Sequence, residues 1–521
     1  MQKAGIKEKI NMAKAEMGKA LRENRAFSLF VLTMALYYGW RMFALDPWYD
    51  ELYTYYSFIS RGPVYSAIHW PVPNNHVFYS VLSGCLMVFQ NPYIALRGIS
   101  WLFSVGNLIL MYVLAGRFFS KGMAQSCVVL YSSFYLVNSL SIQGRGYTLS
   151  IGFFLLALIM LYQICVEEKK GFGCYLLFSL SLTAGLYTIS SNVYWVLPVC
   201  LAGGLCLMLN KSFRVLLHLI AASIAAAVNT LILYSIIWLA IGSNLLSKTE
   251  GSEYFGIYQV NIILQAPFRA WKRGMDYMLA SPYVQSMDRK TVVTGFFSWL
   301  TGLMNLFFSS WGLLLALLLA ASLFLCVWMS HKAAKEKKKE RFFLYLFFIS
   351  VLWGLPVILM VQSVQPYYRV FTFLGVPLAL LLIAYVDELV RGKQQRWILW
   401  FCLLIAVLLL PSSYYNASYA DREIQIKEIW NQAGIDEEPK SIFCTDDYQR
   451  YVFKFYWDYE PLEVSLKEAE YILMPKEITD EGFTEYVWPI LYNHEGIDWD
   501  YLNGCERVCE TESYRLYKKV D

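Results

Sequence analysis

The chain has 521 residues, 57% of them apolar, with 17 tryptophans and a formal net charge of only +4, and its mean hydropathy is +0.41. This exceeds what a soluble domain of that length carries and points to a polytopic membrane protein. A membrane β-barrel would need shorter alternating strands, and none are seen.

In chain order, residues 1–26 form a basic lead expected on the cytoplasmic side. Within it MAKAEMGKALRENR fits an amphipathic helix on an anionic leaflet or a solvated tail equally well. The apolar run that follows lacks a small-residue cleavage site and is expected to stay as a signal anchor. Apolar stretches near the ~20 residues needed to cross hydrocarbon as a helix place spans at 27–45, 97–116, 123–141, 147–166, 174–190, 193–209, 215–241, 302–329, 342–362, 370–386 and 397–411, eleven in all. One further apolar stretch, 76–90, is left out. With it omitted, Arg117 and Lys121, Lys169 and Lys170, Lys211 and Arg214, the run Lys332 to Arg341, and Arg391 to Arg396 all fall on the side of the N-terminus. Lys and Arg in short loops govern orientation, so this arrangement is preferred. The same stretch is short for a crossing and suits a helix lying along the interface.

The expected fold class is therefore an all-α polytopic membrane protein of about 11 transmembrane helices, with membrane-parallel helices in the first outside loop. The transmembrane domain covers 27–411, with outside loops at 46–96 and 242–301, and an extracytoplasmic domain follows at 412–521. That tail is charged and long enough to fold on its own. SIFCTD, YVFKFYW, EYILMP and YRLYKKV look strand-like and Asp421 to Ala433 helix-compatible, which suggests a small α/β or α+β module. Cys444, Cys505 and Cys509 lie in the tail, where three thiols leave at least one unpaired. No Cys/His spacing resembles a zinc ligand set.

The chemistry concentrates on the expected outer face. Asp50 and Glu51 stand in DPWYDELYTYY, directly after the first apolar run and ringed by Trp48, Tyr49, Tyr53, Tyr55 and Tyr56. His76, Arg97, Arg145 and Arg369 adjoin apolar segments on the same side. A charged side chain at mid-membrane costs roughly 2.5–3.5 kcal/mol on insertion scales, and such residues usually mark pathways or sites. The plain alternatives are loop acids and arginines snorkelling at helix ends. Acids, arginines and aromatics together suit sugar transfer from a phosphate-linked carrier: a carboxylate can take the acceptor's proton, and arginine can hold a phosphate and offset leaving-group charge.

The order of segments carries a resemblance. After the first span comes the outside loop with its DE pair, then PNNHVFYSVL, an LRGISWLFSVGNLILMYVLAGRFFSKG helix, SIQGRGYTLS after the third span, and QPYYRVFTFLGVPLALL near the end. This resembles the C-type glycosyltransferase superfamily (GT-C), especially the family 39 branch of protein O-mannosyltransferases and bacterial relatives such as the aminoarabinose transferases. It covers about residues 27–200, weakens at 360–385 and is absent in the tail. It implies an inverting single displacement from a polyprenyl-phosphate sugar on the outer face, with Asp50 as catalytic base and Glu51 as its acidic partner. Asn75, His76, Arg97, Arg145, Tyr147, Tyr368 and Arg369 would then bind donor phosphate and substrate, with Arg145 and either Arg369 or Arg97 stabilising the departing phosphate.

The chain departs from that pattern in two places. Val77 and Phe78 replace the usual two prolines after His76. The second acid that some relatives carry near the third span is missing from SIQGRGYTLS, where Asn138 or Gln143 is the nearest polar substitute. No metal site and no cofactor are therefore expected; a divalent cation finds no supporting ligand set. The expected partners are the polyprenyl-phosphate-sugar donor, a lipid, glycan or protein acceptor, and membrane lipids, with no nucleic acid. The expected place is a bacterial plasma membrane, N-terminus cytoplasmic and C-terminus extracytoplasmic. A lipid-linked oligosaccharide transferase or polymerase is the rival within enzymes. A secondary transporter is the rival outside them, although it would favour repeated halves and a midplane site.

Overall fold

The computed structural model describes residues 24–69, 75–168, 171–279, 287–390, 398, 400–402, 417–435, 441–445, 449–460, 464–480 and 497–520. The chain divides into two compact units: Met1–Met42 with Gly62–Tyr414, and Phe43–Arg61 with Tyr415–Asp521.

The first unit is helical. Among the described residues eight helices are long and apolar enough to cross a membrane, and a ninth counts when Arg25–Ala44 is taken together with the helix after it. Together with the apolar composition, this makes the chain an integral membrane protein. The helices differ from the expected eleven for local reasons. The 123–141 stretch breaks at Phe134 into Lys121–Ser133 and Tyr135–Ser139. The 174–190 stretch is a 17-residue helix, Phe172–Thr188. The 302–329 stretch overlaps two helices, Arg289–Phe308 and Gly312–Lys335, separated by Ser309 at φ 51. Most of the first of these falls inside the expected 242–301 loop, because Arg289 and Lys290 mask its start. The Asp288 carboxylate begins it by accepting the backbone N–H of Lys290 and Thr291. Most of the 397–411 stretch lies outside the described residues. The 76–90 stretch is a nine-residue helix, Val77–Cys85, that tightens into a 3-10 turn, Leu86–Phe89. At 1.5 Å per residue it is too short to cross.

The long helix Phe213–Lys248 and the helix Pro267–Leu279 meet backbone to backbone at Gly242 and Gly274. A Cβ on Gly242 would strike the Ala270 carbonyl, and one on Gly274 would strike that of Trp238. Backbone atoms cannot give way as a flexible side chain can, so overpacking there costs more than the usual ~1–3 kcal/mol. Gly274→Ala is expected to lower the thermal unfolding midpoint in detergent, while Gly204→Ala, where a Cβ meets nothing within 4 Å, leaves it in place. Equal midpoints for the two variants would contradict this packing.

The second unit holds a four-stranded sheet in the order β1-β2-β4-β3: β1 Ile442–Cys444, β2 Tyr471–Pro475, β3 Glu506–Glu510 and β4 Tyr514–Lys518. β1 and β2 run parallel, and the other pairs are antiparallel. Alternation along β2 sends Tyr471 and Leu473 into one apolar cluster and Ile472 and Met474 into another. YVFKFYW is not a strand: it lies in the helix Gln449–Trp457, where Tyr451 and Phe455, four apart, share one face. The 421–433 segment is helical as expected, within Ala417–Ala433. Cys505 and Cys509 are free thiols, and burial pushes both up from the ordinary thiol range.

Candidate functional site

In the first unit the site is built around the turn after Tyr135–Ser139. Every residue from Leu140 to Ser150 is buried, so the turn's carbonyls must find partners inside the protein. The helix Pro92–Ala115 supplies them from Ser100, Ser104 and Asn107, spaced i, i+4, i+7 on one face. Ser104 Oγ donates to the Ser141 carbonyl, Ser100 Oγ to that of Gln143 at 2.5 Å, and Asn107 Nδ2 to that of Thr148 at 2.8 Å. The two glycines flanking Arg145 permit this closeness. A Cβ on Gly144 would run into Leu96, and one on Gly146 would lie 2.6 Å from Thr188 Cγ2 and 3.2 Å from His76 Cβ.

Arg145 is thereby held, 3% exposed, against His76. The Gly146 backbone N–H donates to His76 Nδ1 at 2.9 Å, and an Arg145 Nη lies 3.2 Å from His76 Nε2. A backbone amide carries its proton permanently, so Nδ1 is the acceptor and the proton of the neutral ring sits on Nε2. Nε2–H and the arginine N–H are then two donors side by side, which cannot bond to each other. The Tyr147 ring meets the histidine edge-on at 5.1 Å. Arg369, whose guanidinium also stacks on Tyr367 at 4.8 Å, is close enough to act on the same histidine. Burial first, and then the charges of Arg145 and Arg369, hold His76 well below the usual histidine range.

A pH dependence follows with a fixed sign. The unfolded histidine takes up a proton below about pH 6.5 and the folded one does not, so stability falls as pH drops beneath that value, by up to about 1.4 kcal/mol per pH unit. The unfolding midpoint of the wild type is expected to drop faster between pH 6.5 and 5 than that of His76→Gln; parallel curves would contradict it.

The remaining expected residues have other surroundings. Asn75 uses its amide locally, donating to the carbonyls of Ser66 (3.0 Å) and His69 (2.8 Å) and accepting from Ser80 Oγ (2.8 Å). Tyr368 packs on the helix Arg289–Phe308, its ring 5.9 Å from that of Trp299 and its hydroxyl over Gly302. Arg97, 1% exposed, donates to the Met42 carbonyl at 3.0 Å and lies 5.9 Å from the Tyr93 ring centroid. Within electrostatic reach of it is Arg41, fully buried, which sequence reasoning passed over. Its guanidinium donates to the Asn138 carbonyl (2.8 Å) and side-chain oxygen (2.6 Å) and to Ser141 Oγ (3.3 Å). The signal was an arginine inside an apolar run. Of the two polar substitutes for the missing acid, Asn138 is thus engaged by Arg41, whereas both amide atoms of the buried Gln143 lack a hydrogen-bond partner.

In the second unit Asp50 and Glu51 occupy the first turn of the helix Tyr49–Ser57, where the helix dipole favours negative charge. Glu51, 1% exposed, folds its carboxylate back to accept the Trp48 backbone N–H at 3.2 Å. Asp50, in the same turn, is 8% exposed. Among the described residues no group of three or more His, Cys, Asp or Glu side chains is placed to hold a metal ion.

No family model matches the chain, and no curated protein sequence matches it. Among solved structures, ArnT from Cupriavidus metallidurans in the apo state aligns over 95% of this chain and 98% of its own, with a TM-score of 0.56 at 9% identity. The oligosaccharyltransferase AglB from Archaeoglobus fulgidus, in complex with an inhibitory peptide and a dolichol-phosphate, aligns over 87% of this chain and 70% of its own, with a TM-score of 0.41 at 12% identity. Through the first of these, in agreement with its helical and sheet elements, this chain has the fold that ArnT takes.

Proposed function

We propose that this protein is a membrane glycosyltransferase that moves a sugar from a polyprenyl-phosphate donor to an acceptor hydroxyl or amine on the extracytoplasmic face. The observation that carries the reading is the side-by-side placement of His76 Nε2 and the Arg145 guanidinium, with Arg369 within electrostatic reach of the same histidine. Two N–H groups and a second guanidinium suit the oxygens of a phosphate, which arginine holds in charge-assisted hydrogen bonds.

In this reading Asp50 takes the proton from the acceptor, whose oxygen or nitrogen forms the new bond to the anomeric carbon. The bond from that carbon to the phosphate oxygen breaks, and the electron pair leaves on polyprenyl phosphate. One displacement inverts the anomeric centre. Arg145 and Arg369 offset the charge that develops on the leaving group, Arg97 adds positive potential, and Tyr147 lines the donor's path. Glu51 caps the helix that carries Asp50. The resemblance of the sequence to the family 39 branch, which implies a polyprenyl-phosphate donor, supports the lipid-linked donor.

The test is to incubate the purified protein in proteoliposomes with a polyprenyl-phosphate sugar labelled in the sugar, together with an envelope fraction as acceptor. Label is expected in the acceptor with inverted anomeric configuration. Label that stays with the donor across a panel of sugars, or a retained configuration, would refute the proposal.

A further inference from the structure

The chain folds Phe43–Arg61 into the same compact unit as the C-terminal residues, some 400 positions away. The helix Tyr49–Ser57 is seated there by side chains. Leu52 is buried in the cluster formed by Ile426, Ile429, Trp430, Val452 and Phe453 with residues of the sheet. Tyr56 stacks on Tyr451 with ring centroids 4.9 Å apart and planes at 22°, and Tyr55 meets Phe455 edge-on at 6.3 Å. The Ser57 and Tyr451 hydroxyls lie 3.3 Å apart, and Lys454 Nζ sits 5.4 Å from the centre of the Tyr56 ring. Just before the helix, Asp46 takes Lys427 Nζ at 3.2 Å and the Tyr456 hydroxyl at 2.5 Å.

These anchors have one helical phase. Leu52, Tyr55 and Tyr56 stand at i, i+3, i+4 and form one face. Asp50, two residues before Leu52, lies roughly 160° around the helix from it at 3.6 residues per turn. Seating that face on the module fixes the rotation of the helix about its axis and turns Asp50 away from the seat. A rotation of one residue would carry the carboxylate about 100° round, and general-base catalysis needs it within hydrogen-bond reach of the proton it takes.

We propose that the C-terminal module is the positioning scaffold of the catalytic carboxylate, with Tyr451 and Phe455 as positioning residues and the Asp46–Lys427 pair as its hinge anchor. The inference rests on the function proposed above and adds to it a role for the tail: it sets the aim of Asp50 and leaves donor binding to the membrane unit.

The test uses the full-length protein in nanodiscs and two readouts. Steady-state transfer separates kcat from donor KM, and hydrogen–deuterium exchange reports protection of the 49–57 amides independently of activity. Tyr451→Ala is expected to lower kcat at least tenfold with donor KM within twofold, and to loosen 49–57 while 147–165 keeps its protection. Tyr451→Phe, which keeps the stacked ring, is expected to restore kcat to within about threefold. Loosened exchange with unchanged kcat would overturn the positioning role, and so would a donor KM that rises while kcat holds. If Tyr451→Ala also strips protection from 147–165, Phe455→Leu takes its place under the same criteria. A wild type that transfers no sugar, with 49–57 still loosened by the substitution, would overturn the transferase reading and the catalytic half of this inference, leaving only the structural seating.

Discussion

Asp50→Asn is expected to reduce turnover by about a hundredfold to ten-thousandfold, the range by which a positioned general base contributes. The substitution keeps the shape of the side chain and removes its capacity to accept a proton, so donor affinity should stay within about twofold. The neighbouring Glu51→Gln supplies the contrast. Its carboxylate is engaged by the Trp48 backbone N–H, which an amide oxygen can also accept, so a far smaller loss is expected, on the order of the ~1 kcal/mol that a cap contributes. The comparison is made by initial rates with purified variants beside donor-binding titrations. Equal losses for the two variants would mean that the acids act as a pair rather than as base and cap.

The second large effect is expected at Arg145. The turn that presents it is closed by Gly144 and Gly146 and tied to Pro92–Ala115 by serine hydroxyls, so the guanidinium has little freedom to relax. Arg145→Ala should raise donor KM by about tenfold or more, from the ~1.5–3 kcal/mol of a hydrogen bond to a charged group, and should lower kcat as well through lost stabilisation of the leaving phosphate. Arg145→Lys should recover part of the binding and little of the rate, since an ammonium on a flexible stem lacks the planar fork. A free polyprenyl phosphate is the informative ligand here: its affinity should fall in both variants and hold in Asp50→Asn. Unchanged affinity in Arg145→Ala would take the phosphate away from this cluster.

The helical class and the short 76–90 helix were legible from the sequence, because each depends on the length of an apolar run and the placement of charges around it, and the ArnT-like fold through the resemblance that the order of its motifs carries. His76, Arg145 and Arg369 were legible as charged or titratable groups beside apolar segments, and the structure brings those three together. What escaped was of two kinds. Arg41 and the helix Arg289–Phe308 escaped because local polarity was read too coarsely: one arginine was absorbed into a span, and two cations hid a helix start. The seating of 43–61 on the tail escaped for a deeper reason. Tyr56 with Tyr451 and Asp46 with Tyr456 are pairs some 400 residues apart, and no periodicity within either segment records them. The same contacts explain why YVFKFYW read as a strand: its alternating aromatics look like a half-buried strand, but tertiary partners at i and i+4 make it a helix. Asn75, read from the sequence as a binding residue, has its amide engaged by the Ser66 and His69 carbonyls and the Ser80 hydroxyl.

The most direct measurement is the stoichiometry of polyprenyl phosphate released against labelled sugar moved, in the wild type, Asp50→Asn and Arg145→Ala side by side. A single displacement predicts one polyprenyl phosphate per sugar in the wild type and the simultaneous loss of both signals in either variant. Release of polyprenyl phosphate that persists in Asp50→Asn, or sugar moved without it, would contradict the account.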